Sequence, residues 1–185
     1  MPFFDTDIPG LLVFEPTVHA DSRGYFFESY NEKQFKDRGI DIRFVQDNES
    51  ASSYGVIRGL HYQLPPYAQA KLIRVLHGSI LDVAVDIRNG SPTFGKSFSL
   101  ELTGENKKQL YIPAGFAHGF SVLSEKAIVA YKCDAFYNRE YERGIRFDDP
   151  RLDIDWKIPA ANAIISDKDK FLPLLSDTQT GFAYQ

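Results

Sequence analysis

A strict two-residue alternation, repeated from one short run to the next, constrains this chain more than any other feature. Leu81, Val83, Val85 and Ile87 alternate with Asp82, Ala84 and Asp86, the repeat of a strand with one buried and one polar face. Phe98, Leu100 and Leu102 alternate with Ser97, Ser99 and Glu101 in the same way, and residues 71–76 and 127–131 are further β-type runs. Turn chemistry punctuates them: Asn89-Gly90-Ser91-Pro92, Gly104-Glu105-Asn106 and Pro113-Ala114-Gly115. Many short strands between Gly- and Pro-rich turns predict an all-β fold, a sandwich or a jelly-roll barrel. One early helix is expected over residues 31–38, closed by Gly39. From about residue 148, Asp149-Pro150, Trp156, Pro159 and the polar Ser166-Asp167-Lys168-Asp169 read as irregular chain and short helix laid on the barrel. No linker separates that segment, so residues 1–185 read as a single domain.

Hydrophobic residues make up 43% of the 185, with 15 Phe and 10 Tyr, which suits one aromatic-rich core and leaves two cramped. The net charge of −4 supplies no field for nucleic acid, so an anionic ligand needs a local cluster of Arg and Lys. The single cysteine, Cys133, cannot form an internal disulfide, which fits a reducing cytoplasm. No apolar run reaches membrane-spanning length and no signal-peptide pattern opens the chain, so a cytoplasmic protein without a membrane partner is expected.

Polar clusters interrupt the apolar pattern. Arg58-Gly59-Leu60-His61-Tyr62-Gln63, followed by Lys71, gathers a guanidinium, an imidazole, an amide and an ammonium in chain that otherwise reads as strand. Only four histidines are present, so candidates for a general base near neutral pH are few. Asp21-Ser22-Arg23-Gly24 leads into Phe26, Phe27 and Glu28; Gln46-Asp47-Asn48 offers amides beside a carboxylate; His118 sits between Phe116 and Phe120. Each has a plain alternative: Arg23 as a turn arginine paired with Asp21, Gln46 and Asn48 as turn partners, His118 as a satisfied core residue. Metal-binding jelly rolls commonly carry a His-x-His pair, and this chain has none, although His61, His77 and His118 could still meet from separate strands. Neither GxGxxG nor a P-loop occurs.

Together these segments resemble the dTDP-4-dehydrorhamnose 3,5-epimerase family, metal-free cupin enzymes of activated-sugar biosynthesis. The resemblance runs in order through Asp21 to Glu28, Phe44 to Asn48, Arg58 to His61, Ala70-Lys71-Leu72, Asp86-Ile87-Arg88, Ser91 to Gly95, Ile112 to Phe120, Tyr131-Lys132 and Ser166 to Asp169. It implies an all-β cupin-type jelly-roll barrel with a few short peripheral helices and no cofactor or metal. It also implies a homodimer whose sites are completed across the interface, with Arg23 and Phe26 reaching the neighbour's site. The implied substrate is dTDP-4-dehydro-6-deoxy-D-glucose, whose C3 and C5 both flank the C4 ketone. On the same ground His61 is the base, Asp169 its positioner, Tyr131 the acid and Lys71 the group that stabilises the enolate. Arg23, Glu28, Gln46, Asn48 and Arg58 are implied to hold the nucleotide diphosphate, with Asp47 in the same binding set. Tyr137 is implied to stack on thymine, and His118, Glu142 and Lys168 to touch substrate. An epimerase of C3 or C5 alone, a metal-dependent cupin oxygenase and a non-catalytic sugar-nucleotide-binding module are the rival readings.

Overall fold

A computed structural model describes residues 2–184. Among these, two sheets face each other. The first runs β1 (Phe3–Asp5), β2 (Leu12–Phe14), β10 (Gln109–Ile112), β7 (Lys71–His77), β12 (Lys126–Cys133), β5 (Gln46–Ser53). The second runs β13 (Glu142–Gly144), β6 (Val56–Gln63), β11 (Phe116–Val122), β8 (Ser79–Asp86), β9 (Ser97–Thr103), with β14 (Ile164–Ile165) added to β6. A hairpin of β3 (His19–Asp21) and β4 (Gly24–Phe26) pairs with neither sheet. The helices are short: α1 (Glu32–Asp37), α2 (Asp167–Lys170) and two 3-10 turns at Ala160–Asn162 and Leu175–Asp177. The all-β fold is therefore what the alternation predicts, and the jelly roll with small peripheral helices is what the resemblance implies.

The barrel core lies between the sheets. Ile73, Val75, Leu110, Ala127 and Val129 from the first meet Ile80, Ala84, Leu102, Phe120 and Val122 from the second. A second apolar layer covers the outer face of β6, β8 and β11, where Ile145, Leu152, Trp156 and Leu175 of the C-terminal third pack. This layer corrects the expectation of a one-faced strand at residues 81–87. Asp82, Ala84 and Asp86 are as deeply buried as their apolar neighbours, because β8 is central in its sheet and covered on both sides.

Local chemistry explains the smaller elements. Asn31 caps α1, its side chain accepting from the Lys33 amide at 3.1 Å, and Gly39 follows the helix at φ +89°. Phe35 is the one buried residue of α1 and packs on Phe3 and Phe14. Asp86 anchors the turn after β8: its carboxylate accepts from Arg88, Ser91 and Thr93 at 2.7, 2.6 and 2.6 Å. Burial pushes this carboxyl up, but those donors outweigh it and hold it at about 2. Near the N-terminus β2 belongs to the first sheet, whereas the β3–β4 hairpin stands out with Tyr25 and Phe26 exposed.

Candidate active site

Unbroken alternation along β6 would send Arg58 and His61 to opposite faces. A register slip against β11, between His118 and Phe120, prevents it. Arg58 and His61 both line the inner cavity, while Leu60 and Tyr62 pack outward into the second apolar layer. Glycine makes the slip sterically accessible. A Cβ on Gly59 would lie 2.6 Å from the Gly119 Cα, at a backbone φ of +121°, and a Cβ on Gly119 would lie 2.6 Å from the Arg58 carbonyl oxygen. The same pairing sets His61 directly opposite His118.

His61 Nε2 lies 2.7 Å from Asp169 Oδ1. Asp169 sits in α2, whose N-cap Ser166 accepts from the Asp169 amide, and its second oxygen accepts from Gly59 N–H at 3.3 Å. Burial pushes the Asp169 carboxyl up, but the His61 hydrogen bond and charge, with the backbone donor, outweigh it and keep it below the usual range. An ionised Asp169 holds the proton of His61 on Nε2 and leaves Nδ1 free to accept one. A second pair lies alongside, with His118 Nε2 2.7 Å from Asp82 Oδ1, both side chains buried. Burial lowers the proton affinity of His118 despite Asp82.

The facing sheet supplies the other groups. In its register Cys133 pairs with Lys71 and with Gln46, and Tyr131, two residues earlier, pairs with Asn48 and Ile73. Lys71 and Tyr131 thus share the inner face, as the alternation of Tyr131 with Ala127 and Val129 predicts. Burial pushes the Tyr131 phenol up, so it keeps its proton, and pulls the Lys71 ammonium down. Two cavities, of about 540 and 260 Å³, share His61, Lys71 and Tyr131 in their walls. The larger reaches Arg58, His118, Lys168 and Asp169, and the smaller opens towards Gln46, Asn48, Tyr137 and Glu142. At their mouth Glu142 accepts from Tyr137 Oη at 2.9 Å and pairs with Lys168 at 2.7 Å, while Gln46 accepts from the Tyr137 amide at 2.9 Å. Burial raises the Glu142 carboxyl, but Lys168 and Tyr137 bring it below its ordinary value.

Four expected site residues lie elsewhere. Asp47 points to the outer face of the first sheet and pairs with Lys132 at 2.9 Å. Arg23 stands on the exposed hairpin bonded to Asp21, Phe26 is exposed beside it, and Glu28 bonds Asn31 and Gln34. None of the four lines a cavity with His61. Asp82 is the residue that sequence reasoning missed, because alternation alone assigned it to solvent. Among the described residues no group of three or more His, Cys, Asp or Glu is gathered as metal ligands, and His77 is exposed at the end of β7.

A jelly roll whose cavity sets a carboxylate-backed imidazole across from a protonated phenol and a lysine is a cupin-type isomerase built for proton transfer at carbon. The chain belongs to the dTDP-4-dehydrorhamnose 3,5-epimerase family, whose model matches residues 5–177. It is 54% identical over 170 residues to a dTDP-4-dehydrorhamnose 3,5-epimerase from Shigella flexneri, covering 91% of this chain and 93% of that one. It superposes with a TM-score of 0.95 on a dTDP-6-deoxy-D-glucose-3,5-epimerase from Legionella pneumophila Philadelphia 1 solved in complex with dTDP-4-keto-L-rhamnose. The two are 47% identical over 99% of this chain and 98% of that one. ChmJ, a 3'-monoepimerase from Streptomyces bikiniensis solved with dTDP-quinovose, is more distant. Its TM-score is 0.86 and its identity 34%, over 92% of this chain and 86% of that one.

Proposed function

We propose that the protein inverts C3 and C5 of dTDP-4-dehydro-6-deoxy-D-glucose, forming dTDP-4-dehydro-L-rhamnose. Both carbons flank the C4 ketone, so removal of either proton gives an enolate whose charge rests on the ketone oxygen. Delivery of a proton to the opposite face inverts the centre. His61, through its free Nδ1, is the base; Tyr131 on the facing sheet is the acid; Lys71 lies where it can meet the developing oxyanion. The observation that carries this reading is the 2.7 Å His61–Asp169 pair in a cavity whose far wall holds Tyr131 and Lys71. Gln46, Asn48, Arg58, Tyr137, Glu142 and Lys168 around the openings hold the nucleotide and sugar. Arginine suits a diphosphate through its paired donors.

We further propose a homodimer. Arg23 and Phe26 do not reach the cavity of their own chain and project on a hairpin unattached to either sheet, as a segment that completes a neighbour's site would. No described helix is long and apolar enough to cross a membrane, and the buried free thiol of Cys133 suits a cytoplasmic location.

Incubation with dTDP-4-dehydro-6-deoxyglucose in heavy water, followed by NMR, tests the reaction. Deuterium enters at both C3 and C5 on this reading. The likeness to a 3'-monoepimerase favours a second reading, inversion of C3 alone, which label at C3 only would support. Absence of exchange at both carbons would defeat both readings.

A further inference from the structure

We propose that Asp82 is a positioning residue of this site, the buried negative charge that faces Lys71 and fixes the ring of His118. The proposal deepens the epimerase reading and rests on it for the role of Lys71. Asp82 lies in the middle of β8, its side chain fully buried, with one oxygen bonded to His118 and the other, Oδ2, without a hydrogen-bond partner among the described residues. A buried carboxylate oxygen is costly without a compensating donor or charge. Lys71 enters the same interior from the facing sheet, and its ammonium is burdened by burial. The groups that favour its charged form are Cys133 beside it on β12, Asp82 on β8 and Glu142 on β13. Glu142 is partly exposed and already paired with Lys168, and a buried thiol is a poor anion, which leaves Asp82, hydrogen-bonded to the His118 that lines one cavity with Lys71.

The same carboxylate orders His118. Burial, Lys71 and His61 all disfavour a charged His118 ring, so it is neutral and carries a single hydrogen. With Nε2 against Asp82 that hydrogen belongs on Nε2, and Nδ1 is left as an acceptor. Asp82 thereby presents the sugar with a cation for its ketone oxygen and a neutral acceptor for a neighbouring hydroxyl, in fixed positions.

The test compares wild type with Asp82→Asn, which keeps shape and removes the charge. In ligand-free protein carrying ¹³C-labelled lysine, with Lys71→Gln to assign the signal, the Lys71 titration midpoint should fall in Asp82→Asn. The alkaline limb of the kcat profile should move to lower pH with it. The loss in kcat at neutral pH should not exceed the roughly hundred- to thousandfold cost of removing an oxyanion donor outright. A Lys71 midpoint unchanged in the folded variant overturns the proposal. In wild type, ¹⁵N shifts should show His118 neutral and protonated on Nε2; a neutral Nδ1–H ring or an imidazolium at pH 7 overturns the proposal without any variant. The lysine and histidine measurements need no substrate, so their failure is distinct from failure of the exchange assay.

Discussion

Tyr131→Phe separates the two halves of the proposed reaction. His61 keeps Asp169 behind it in that variant, so it can still remove a proton and return one from solvent to the same face. Deuterium should enter C3 or C5 with little formation of the L-sugar, and NMR reads both quantities in one sample. Wild-type inversion would assign the acid to another group. His61 stood out as a candidate base because histidines are few and this one sits in a polar cluster, whereas Tyr131 entered as the acid only through the family resemblance. Asp169 was legible only through the family resemblance, since it lies more than a hundred residues from its histidine. Asp82 was not legible: in a strict alternation an aspartate opposite leucine and valine reads as solvent-facing, and only the covering layer on the other side of the sheet reveals that it points inward.

At the scale of elements, the Asp86 turn offers a sharp acid test. Its carboxyl titrates at about 2 in the fold against 3.8 ordinarily, so its contribution is present above the ordinary value and is lost as pH falls through about 2. That difference is worth about 2 kcal/mol. Asp86→Asn should therefore cost at least this much in urea unfolding at pH 7, and its deficit against wild type should narrow steadily as pH approaches 2. A deficit independent of pH would show that the carboxylate charge contributes nothing. The Asp86-Ile87-Arg88 and Ser91 to Gly95 segments carried part of the resemblance without an evident role, and this turn supplies one. β8 and β9 were legible from period, β7 and β12 as short β-type runs, and α1 from its terminal glycine. The slip in β6 was not, because it arises from two glycines meeting across strands far apart in sequence.

Assembly is the matter at the largest scale, and complementation addresses it. Mixed dimers of Arg23→Ala and His61→Ala subunits should regain up to about half of wild-type activity if Arg23 serves the partner, because one site then carries both lesions and the other neither. Activity held at the level of the parents would place Arg23 in its own chain's site, and a monomer in sedimentation would end the proposal outright. Nothing in the periodicity of a single chain encodes a neighbour, which is why the dimer rested on resemblance. The division of the cavity between two sheets has a further mechanical meaning. The proposed base and acid are mounted on opposite jaws, and Ile73, Val75, Ile80 and Val122 belong to the core packed between those two sheets. On that reading, thinning this core should leave every reacting group in place yet loosen the grip on the sugar ring, so that the fidelity of inversion depends on the barrel's girth as well as on its chemistry.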